Sequence, residues 1–187
     1  MAKKLSAHSR LGGWDKLIKK IKPVKILILD VDGVMTDGRI IYDDDGKETK
    51  IFDVKDGHGI KLLMRAGLDV AIITARESNV VLHRAKNLGI EMVYQKAMDK
   101  TAAFDDILQK RQLSAKEAVY IGDELVDIPL LRRVGFAVAV KDAVDDVKRH
   151  VDYVTVKNGG YGAVREVCEL ILKTQGKWDE VTAKYFI

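Results

Sequence analysis

Val24-Lys25-Ile26-Leu27-Ile28-Leu29-Asp30-Val31-Asp32-Gly33-Val34-Met35-Thr36-Asp37 is a short apolar run that stops abruptly at two carboxylates. The run does not alternate polar with apolar residues, so both faces of the extended chain must be covered. That is the pattern of an inner strand of a parallel sheet, and Val24–Leu29 is read as such a strand ending at Asp30. In open parallel sheets ligands bind beyond the carboxyl ends of the strands, which puts Asp30 and Asp32 where chemistry is expected.

Further strands of the same kind follow at intervals that leave room for helices. Val70–Thr74, Met92–Tyr94, Ala118–Ile121 and Phe136–Val140 are read as strands, with Tyr153–Val156 as a sixth at the edge. Helices are expected over Ile60–Arg65, Ser78–Leu88, Lys100–Lys110, Asp127–Arg133, Ala143–Arg149 and Gly162–Leu172. Gly67 and Gly89 close two of them as C-terminal caps. Arg39–Tyr42 and Thr49–Val54 flank Asp43-Asp44-Asp45-Gly46, a hairpin whose glycine supplies the positive φ of the turn. The fold class is therefore α/β: a Rossmann-like parallel sheet flanked by helices, carrying a β-hairpin flap.

Composition bounds the function from outside. At 187 residues the chain makes one domain, and its formal charge of +4 is spread among 28 acids. The densest basic stretch is residues 1–22, read as a solvated or locally interacting extension, and the body has no basic stripe with interleaved aromatics. Nucleic acid is not an expected partner. No apolar run approaches membrane-spanning length, and the basic, glycine-broken start lacks a signal peptide's apolar stretch, so neither membrane nor export is expected and the location is read as cytoplasmic. The single cysteine, Cys168, lies on the apolar stripe of the last long helix and reads as core. Residues 175–187 form a tail whose Trp178, Tyr185, Phe186 and Ile187 need a surface, either a neighbouring subunit's or the chain's own.

Four strand ends carry capable side chains. Asp30 and Asp32 end the first, Thr74-Ala75-Arg76 the second, and Gly122-Asp123-Glu124 the fourth, with Asp127 beyond. Lys100 opens the helix after the third. Several carboxylates at one point repel one another unless a cation neutralises them. All-oxygen ligands select a hard cation, and Mg²⁺ suits a site where a phosphate supplies a further ligand. A phosphate dianion would also need a nearby ammonium, and Lys100 is placed to give one.

The ordered set Asp-x-Asp-Gly-Val-Met-Thr-Asp, Thr74, Lys100 and Gly-Asp-x-x-x-Asp resembles the haloacid dehalogenase superfamily. The resemblance implies Asp30 as the nucleophile, Asp32 as general acid and base, and Thr74 and Lys100 as phosphate-binding groups. It also implies a Mg²⁺ site made by Asp30, the Asp32 main-chain carbonyl and Asp123, with Asp127 behind it steering Lys100 or a metal-bound water. An Asp at position 32 implies a phosphatase, since a leaving oxygen needs a proton. Only 43 residues separate Asp30 from Thr74, and 25 separate Thr74 from Lys100, so no cap domain fits in either gap.

With Asp56-Gly57-His58-Gly59-Ile60-Lys61 and Asn158-Gly-Gly-Tyr-Gly-Ala-Val-Arg-Glu166, the capless chain, its domain at 23–174, resembles the 3-deoxy-D-manno-octulosonate 8-phosphate (KDO 8-phosphate) phosphatases from roughly Lys25 to the C-terminus. The implied partner is a small phosphorylated sugar acid, in lipopolysaccharide precursor synthesis, with Gly33, Lys61, Ala75 and Arg76 as expected contacts. The implied assembly is a homotetramer in which the hairpin, about residues 38–55, covers a neighbour's site. Arg165 is assigned to the local glycine-rich loop, and Gly159, Gly160 and Gly162 to shaping a turn. The alternatives are a nine-carbon sugar-acid 9-phosphate as substrate, N-acylneuraminate or its deaminated analogue, and a non-enzymatic assembly module that has kept the fold.

Overall fold

The computed structural model describes residues 11–187. Its centre is a sheet of six parallel strands: β1 (Ile26–Leu29), β4 (Asp69–Ile73), β5 (Met92–Tyr94), β6 (Ala118–Gly122), β7 (Phe136–Ala139) and β8 (Tyr153–Val154). The spatial order is β5-β4-β1-β6-β7-β8, which leaves β1 in the middle with β4 on one side and β6 on the other. Leu29 pairs with Ile72 of β4 and with Ile121 of β6, so the residues after these three strands emerge side by side. Every residue of β1, β6 and β7 is buried, as strands covered on both faces must be. The fold therefore gathers Asp30, Thr74 and Asp123 at one edge of the sheet from positions far apart in the chain.

Strands β2 (Ile41–Tyr42) and β3 (Glu48–Thr49) form the separate antiparallel hairpin. The Asp43 side chain accepts from the backbone N–H groups of Asp45 (3.1 Å) and Lys47 (2.7 Å), and Gly46 takes φ +75°. The strands are shorter than the sequence reading, and the chain turns into helix sooner than expected. Helix α2 runs Val54–Arg65, six residues ahead of the predicted start at Ile60. Asp53 is the cause: its carboxylate caps the backbone N–H groups of Lys55 and Asp56. Gly57 and Gly59, inside this helix, are packing residues. A Cβ on Gly57 would strike the Arg84 guanidinium, and one on Gly59 would lie 2.9 Å from Arg165 Cδ.

The remaining helices are α3 (Asn79–Leu88), α4 (Lys100–Arg111), the short α5 (Ile128–Leu131) and α6 (Asp145–Lys148), α7 (Ala163–Thr174) and α8 (Trp178–Thr182). The Asp56 carboxylate ties α2 to the start of α7, accepting from the backbone N–H groups of Arg165 (2.7 Å) and Gly162 (3.3 Å). Cys168 on α7 is fully buried, as its place on the apolar stripe predicts.

Of the basic extension at 1–22, read as solvated or locally interacting, residues 1–10 lie outside the described residues and the rest packs on the body. Residues 11–21 form helix α1, Ile21 is fully buried and Leu17 packs on the core. Leu11, Trp14, Leu17, Ile18 and Ile21 recur at helical spacing, a pattern outweighed in the sequence reading by the lysines between them. A cavity of about 800 Å³ lies between α1 and the β8 edge and shares no residue with the acidic strand ends. The tail also folds back on its own chain: Val181 and Thr182 of α8 are buried, and Arg65 donates to the Val181 carbonyl at 3.0 Å. Phe186 and Ile187 remain exposed. Among the described residues no helix is long and apolar enough to cross a membrane.

Candidate active site

Lys100, the first residue of α4, is buried with its ammonium 3.0 Å from Asp30 Oδ1 and 2.7 Å from Asp127 Oδ1. Asp127 is completely buried and fully committed. Its Oδ1 accepts from Lys100 and from the Tyr120 hydroxyl at 2.6 Å, and its Oδ2 from the backbone N–H groups of Asp123 (2.9 Å) and Glu124 (3.2 Å). It thereby fixes both the lysine and the loop that carries Asp123. One carboxylate oxygen each from Asp30, Asp123 and Asp127 lies within 4.8 Å of the others.

Three carboxylates face one lysine, and the electrostatics show the imbalance. Burial, then the charge of Asp127, push Asp30 up from 3.8 to about 6 against the pull of Lys100. Burial, then Asp30 and Asp127, push Asp123 up to about 8. Burial works to lower Lys100, but the charges of Asp30 and Asp127 outweigh it and hold the ammonium above its usual value. Asp123 Oδ1 is buried with no hydrogen-bond partner. A buried acceptor left bare costs about 1–3 kcal/mol, more when charged. The donor set, all oxygen and short of positive charge, fits a hard divalent cation bound by Asp30 and Asp123.

Gly33 sits at φ +88° and a Cβ there would run into the Asp123 carboxylate, so only glycine lets the two loops meet. Thr74 is buried at the end of β4, where its hydroxyl accepts from the Arg76 N–H at 3.3 Å, and Ala75 is half-buried beside it. Lys61 lies exposed on α2 and makes no hydrogen bond or ion pair with the clustered residues. Glu124 turns away, its carboxylate capping the N–H of Leu125. The glycine-rich loop shapes the site from outside: Gly159 and Gly160 donate their N–H groups to Asp142 (2.9 Å) and to the Val34 carbonyl (3.0 Å). Arg165 pairs with Glu169 at 2.7 Å on α7, and His58 on α2 meets Tyr185 at 3.0 Å.

The hairpin supplies what the sequence reading missed. Lys50, just after β3, is buried and bonds Asp32 Oδ1, with Glu48 Oε1 at 3.2 Å. Arg76 donates to Glu48 Oε1 at 3.2 Å and to the Tyr42 hydroxyl at 3.0 Å, and its Nε stands 3.8 Å from Asp32 Oδ2. The hairpin is thus fastened to Asp32 of its own chain. Nothing local marks Lys50 for this, since a lysine in a short exposed strand is ordinary. Tyr120 did carry a signal, being the one polar side chain within the apolar strand β6.

Gathering Asp30, Asp32, Lys100, Asp123 and Asp127 at the mouth of a six-stranded parallel sheet is the plan of a haloacid dehalogenase-like hydrolase. A family model of that description matches residues 90–167. The 3-deoxy-D-manno-octulosonate 8-phosphate phosphatase of Escherichia coli K12 is 45% identical over 164 residues, 88% of this chain and 87% of that one. The crystal structure of the enzyme of that name from Yersinia pestis is 44% identical with a TM-score of 0.87, covering 88% of this chain and 89% of that one. That from Moraxella catarrhalis, in complex with magnesium ion, phosphate ion and a KDO molecule, is 42% identical with a TM-score of 0.89 and covers 91% and 98%. The chain belongs to the 3-deoxy-D-manno-octulosonate 8-phosphate phosphatase family.

Proposed function

We propose that this protein hydrolyses 3-deoxy-D-manno-octulosonate 8-phosphate to the free sugar acid and inorganic phosphate through an aspartyl-phosphate intermediate, with Mg²⁺ as cofactor. The observation that carries the reading is the bare, buried Asp123 Oδ1 in a carboxylate cluster with Asp30, served by the single ammonium of Lys100. Asp30, the Asp32 main-chain carbonyl and Asp123 would hold Mg²⁺. The bound cation would neutralise the carboxylates and let a phosphate dianion approach.

The chain's own groups then act in two steps. An Asp30 carboxylate oxygen attacks phosphorus and the bond from phosphorus to the sugar oxygen breaks. Asp32 gives that oxygen its proton. Asp32 next takes a proton from the water that attacks the aspartyl-phosphate, which releases inorganic phosphate and restores Asp30. Thr74 and Lys100 bind the phosphoryl oxygens, and Asp127 keeps Lys100 aimed at Asp30. Arg76, half-buried near Asp32, is the stronger substrate cation by position, though it is also bonded to Glu48 and Tyr42; Gly33 and Ala75 would meet the phosphoryl group through their backbone. Lys61 is the weaker contact, being exposed and unconnected to the cluster.

We further read the enzyme as a cytoplasmic homotetramer working in lipopolysaccharide precursor synthesis. What supports assembly is the flap, where Ile40, Ile41, Tyr42, Ile51 and Val54 expose apolar surface on one short segment. The test is phosphate release from KDO 8-phosphate, N-acetylneuraminate 9-phosphate and hexose phosphates, with Mg²⁺ and with chelator. A large preference for the eight-carbon acid, abolished by chelation, is expected. Equal or faster hydrolysis of the nine-carbon acid would refute the substrate, and hydrolysis of none would refute the reading.

A further inference from the structure

Asp32 divides its two oxygens unequally. Oδ1 is held by Lys50, while Oδ2 accepts no hydrogen bond among the described residues, its nearest cation being Arg76 Nε at 3.8 Å. Lys50 arrives from the flap with its side chain 1% exposed. A lysine sealed in this way is costly unless its charge is matched, and Asp32 and Glu48 match it from two directions. Glu48 is in turn held by Arg76, so the arrangement Asp32–Lys50–Glu48–Arg76 has no net charge while Asp32 is ionised, and when Oδ2 carries the proton Glu48 still pairs with Lys50. Removing Lys50 would release the Asp32 side chain to several rotamers at the place where one is needed.

We propose that Lys50 is a positioning residue for the reaction, holding Asp32 by Oδ1 so that Oδ2 is presented to the leaving-group oxygen. The inference rests on the reading of Asp32 as the general acid. It gives the flap a role within its own subunit, independent of whatever it covers in a neighbour. The proton travels on Oδ2 to the departing sugar oxygen, and Lys50 exchanges no proton in the step. Arginine in its place keeps the charge and the bond, whereas methionine keeps the stem and loses both.

The experiment compares kcat/KM, which reports phosphoryl transfer to Asp30, for two esters of different need. An alkyl phosphate that the wild type hydrolyses requires a proton on its leaving group; p-nitrophenyl phosphate does not. Lys50→Met is expected to lower kcat/KM for the alkyl ester about 100-fold and for the nitrophenyl ester less than about 5-fold, as loss of an aimed general acid would. Lys50→Arg should recover most of the alkyl-ester rate, and Glu48→Gln, which leaves Lys50 on Asp32, should not show the selectivity. Asp32→Asn sets the benchmark, with the same selectivity and a larger loss. Equal losses on the two esters in Lys50→Met, or a loss confined to KM, would overturn the role of Lys50. An Asp32→Asn variant without selectivity would instead overturn the assignment of Asp32. Thermal melts and gel filtration of each variant separate these results from misfolding, and Lys50→Arg carries the test if Lys50→Met does not fold.

Discussion

Removing the metal should turn the acidic cluster into a pH-dependent weakness in the fold, and Asp123 is its main source. Its carboxyl is raised from 3.8 to about 8 by burial and by the charges of Asp30 and Asp127. A group raised in the folded state binds its proton more tightly there than in the unfolded chain. Its contribution is fully present below 3.8 and is lost as pH climbs through about 8. At 1.36 kcal/mol per pKa unit the whole shift corresponds to about 6 kcal/mol. Asp123 is only partly buried and water at the site mouth screens it, so about 2–3 kcal/mol is the expected loss. For a domain of this size that is about 5–10 °C of melting temperature. The assay is thermal unfolding at pH 4 and 8.5, in chelator and in Mg²⁺, for wild type and Asp123→Asn. Metal-free wild type should melt lower at pH 8.5 and be restored by Mg²⁺, because a cation that binds only the folded state stabilises it. Referencing to Asp123→Asn cancels the titrations that do not depend on Asp123, and that variant, which keeps the raised carboxyl of Asp30, should show a smaller pH loss and a weaker Mg²⁺ recovery. A wild type as stable without metal at pH 8.5 as Asp123→Asn would refute the electrostatic account of the cluster.

Asp30→Asn should lose turnover by at least about 10⁴-fold, as removal of a covalent nucleophile does, while melting no lower than wild type because one repelling charge is gone; steady-state rates and a thermal melt check both. Gly33→Ala should cost about 2 kcal/mol in unfolding free energy and weaken Mg²⁺ binding, since the new Cβ meets both a positive φ and the Asp123 carboxylate; denaturant melts and metal titration measure these, and wild-type values in both would count against the packing argument. Asp56→Ala should destabilise the chain by about 2 kcal/mol by uncapping α7 at Gly162 and Arg165, read from denaturant melts in which the midpoint falls. Truncation after Gly176 removes the buried Val181 and Thr182 and should lower the melting temperature as well as change assembly or turnover; a variant unchanged in all three would mean that the tail contributes nothing.

Much of this molecule is legible without coordinates because its signals are local. A run such as Ile26–Leu29 has one stable home, a strand covered on both faces, and the polar residue that ends it must face the sheet edge. Repeating that reading at Thr74, Lys100 and Asp123 locates the reacting end, since the carboxyl ends of parallel strands all point one way. The pairing of Lys100 with Asp127 was one of the two roles that the family resemblance implied for Asp127. Misreadings came where local rules conflict. Gly57 and Gly59 argue against a helix until Arg84 and Arg165 occupy the space their side chains would need, and the lysines of α1 obscure an apolar face that only matters once Ile21 finds the core.

What tertiary structure alone decided is which charges neutralise which. Lys50 lies 18 residues from Asp32 along the chain, and their bond depends on the path of a hairpin whose own composition is indifferent to it. The unpartnered oxygen of Asp123 is likewise invisible in sequence, because an acid is bare only relative to the groups that could have reached it. Sequence alone placed the strands and the polar residues that end them, since burial of apolar segments is additive along the chain. The matching of buried charges is not additive: it depends on distances of a few ångströms between remote segments, and only the folded chain sets those.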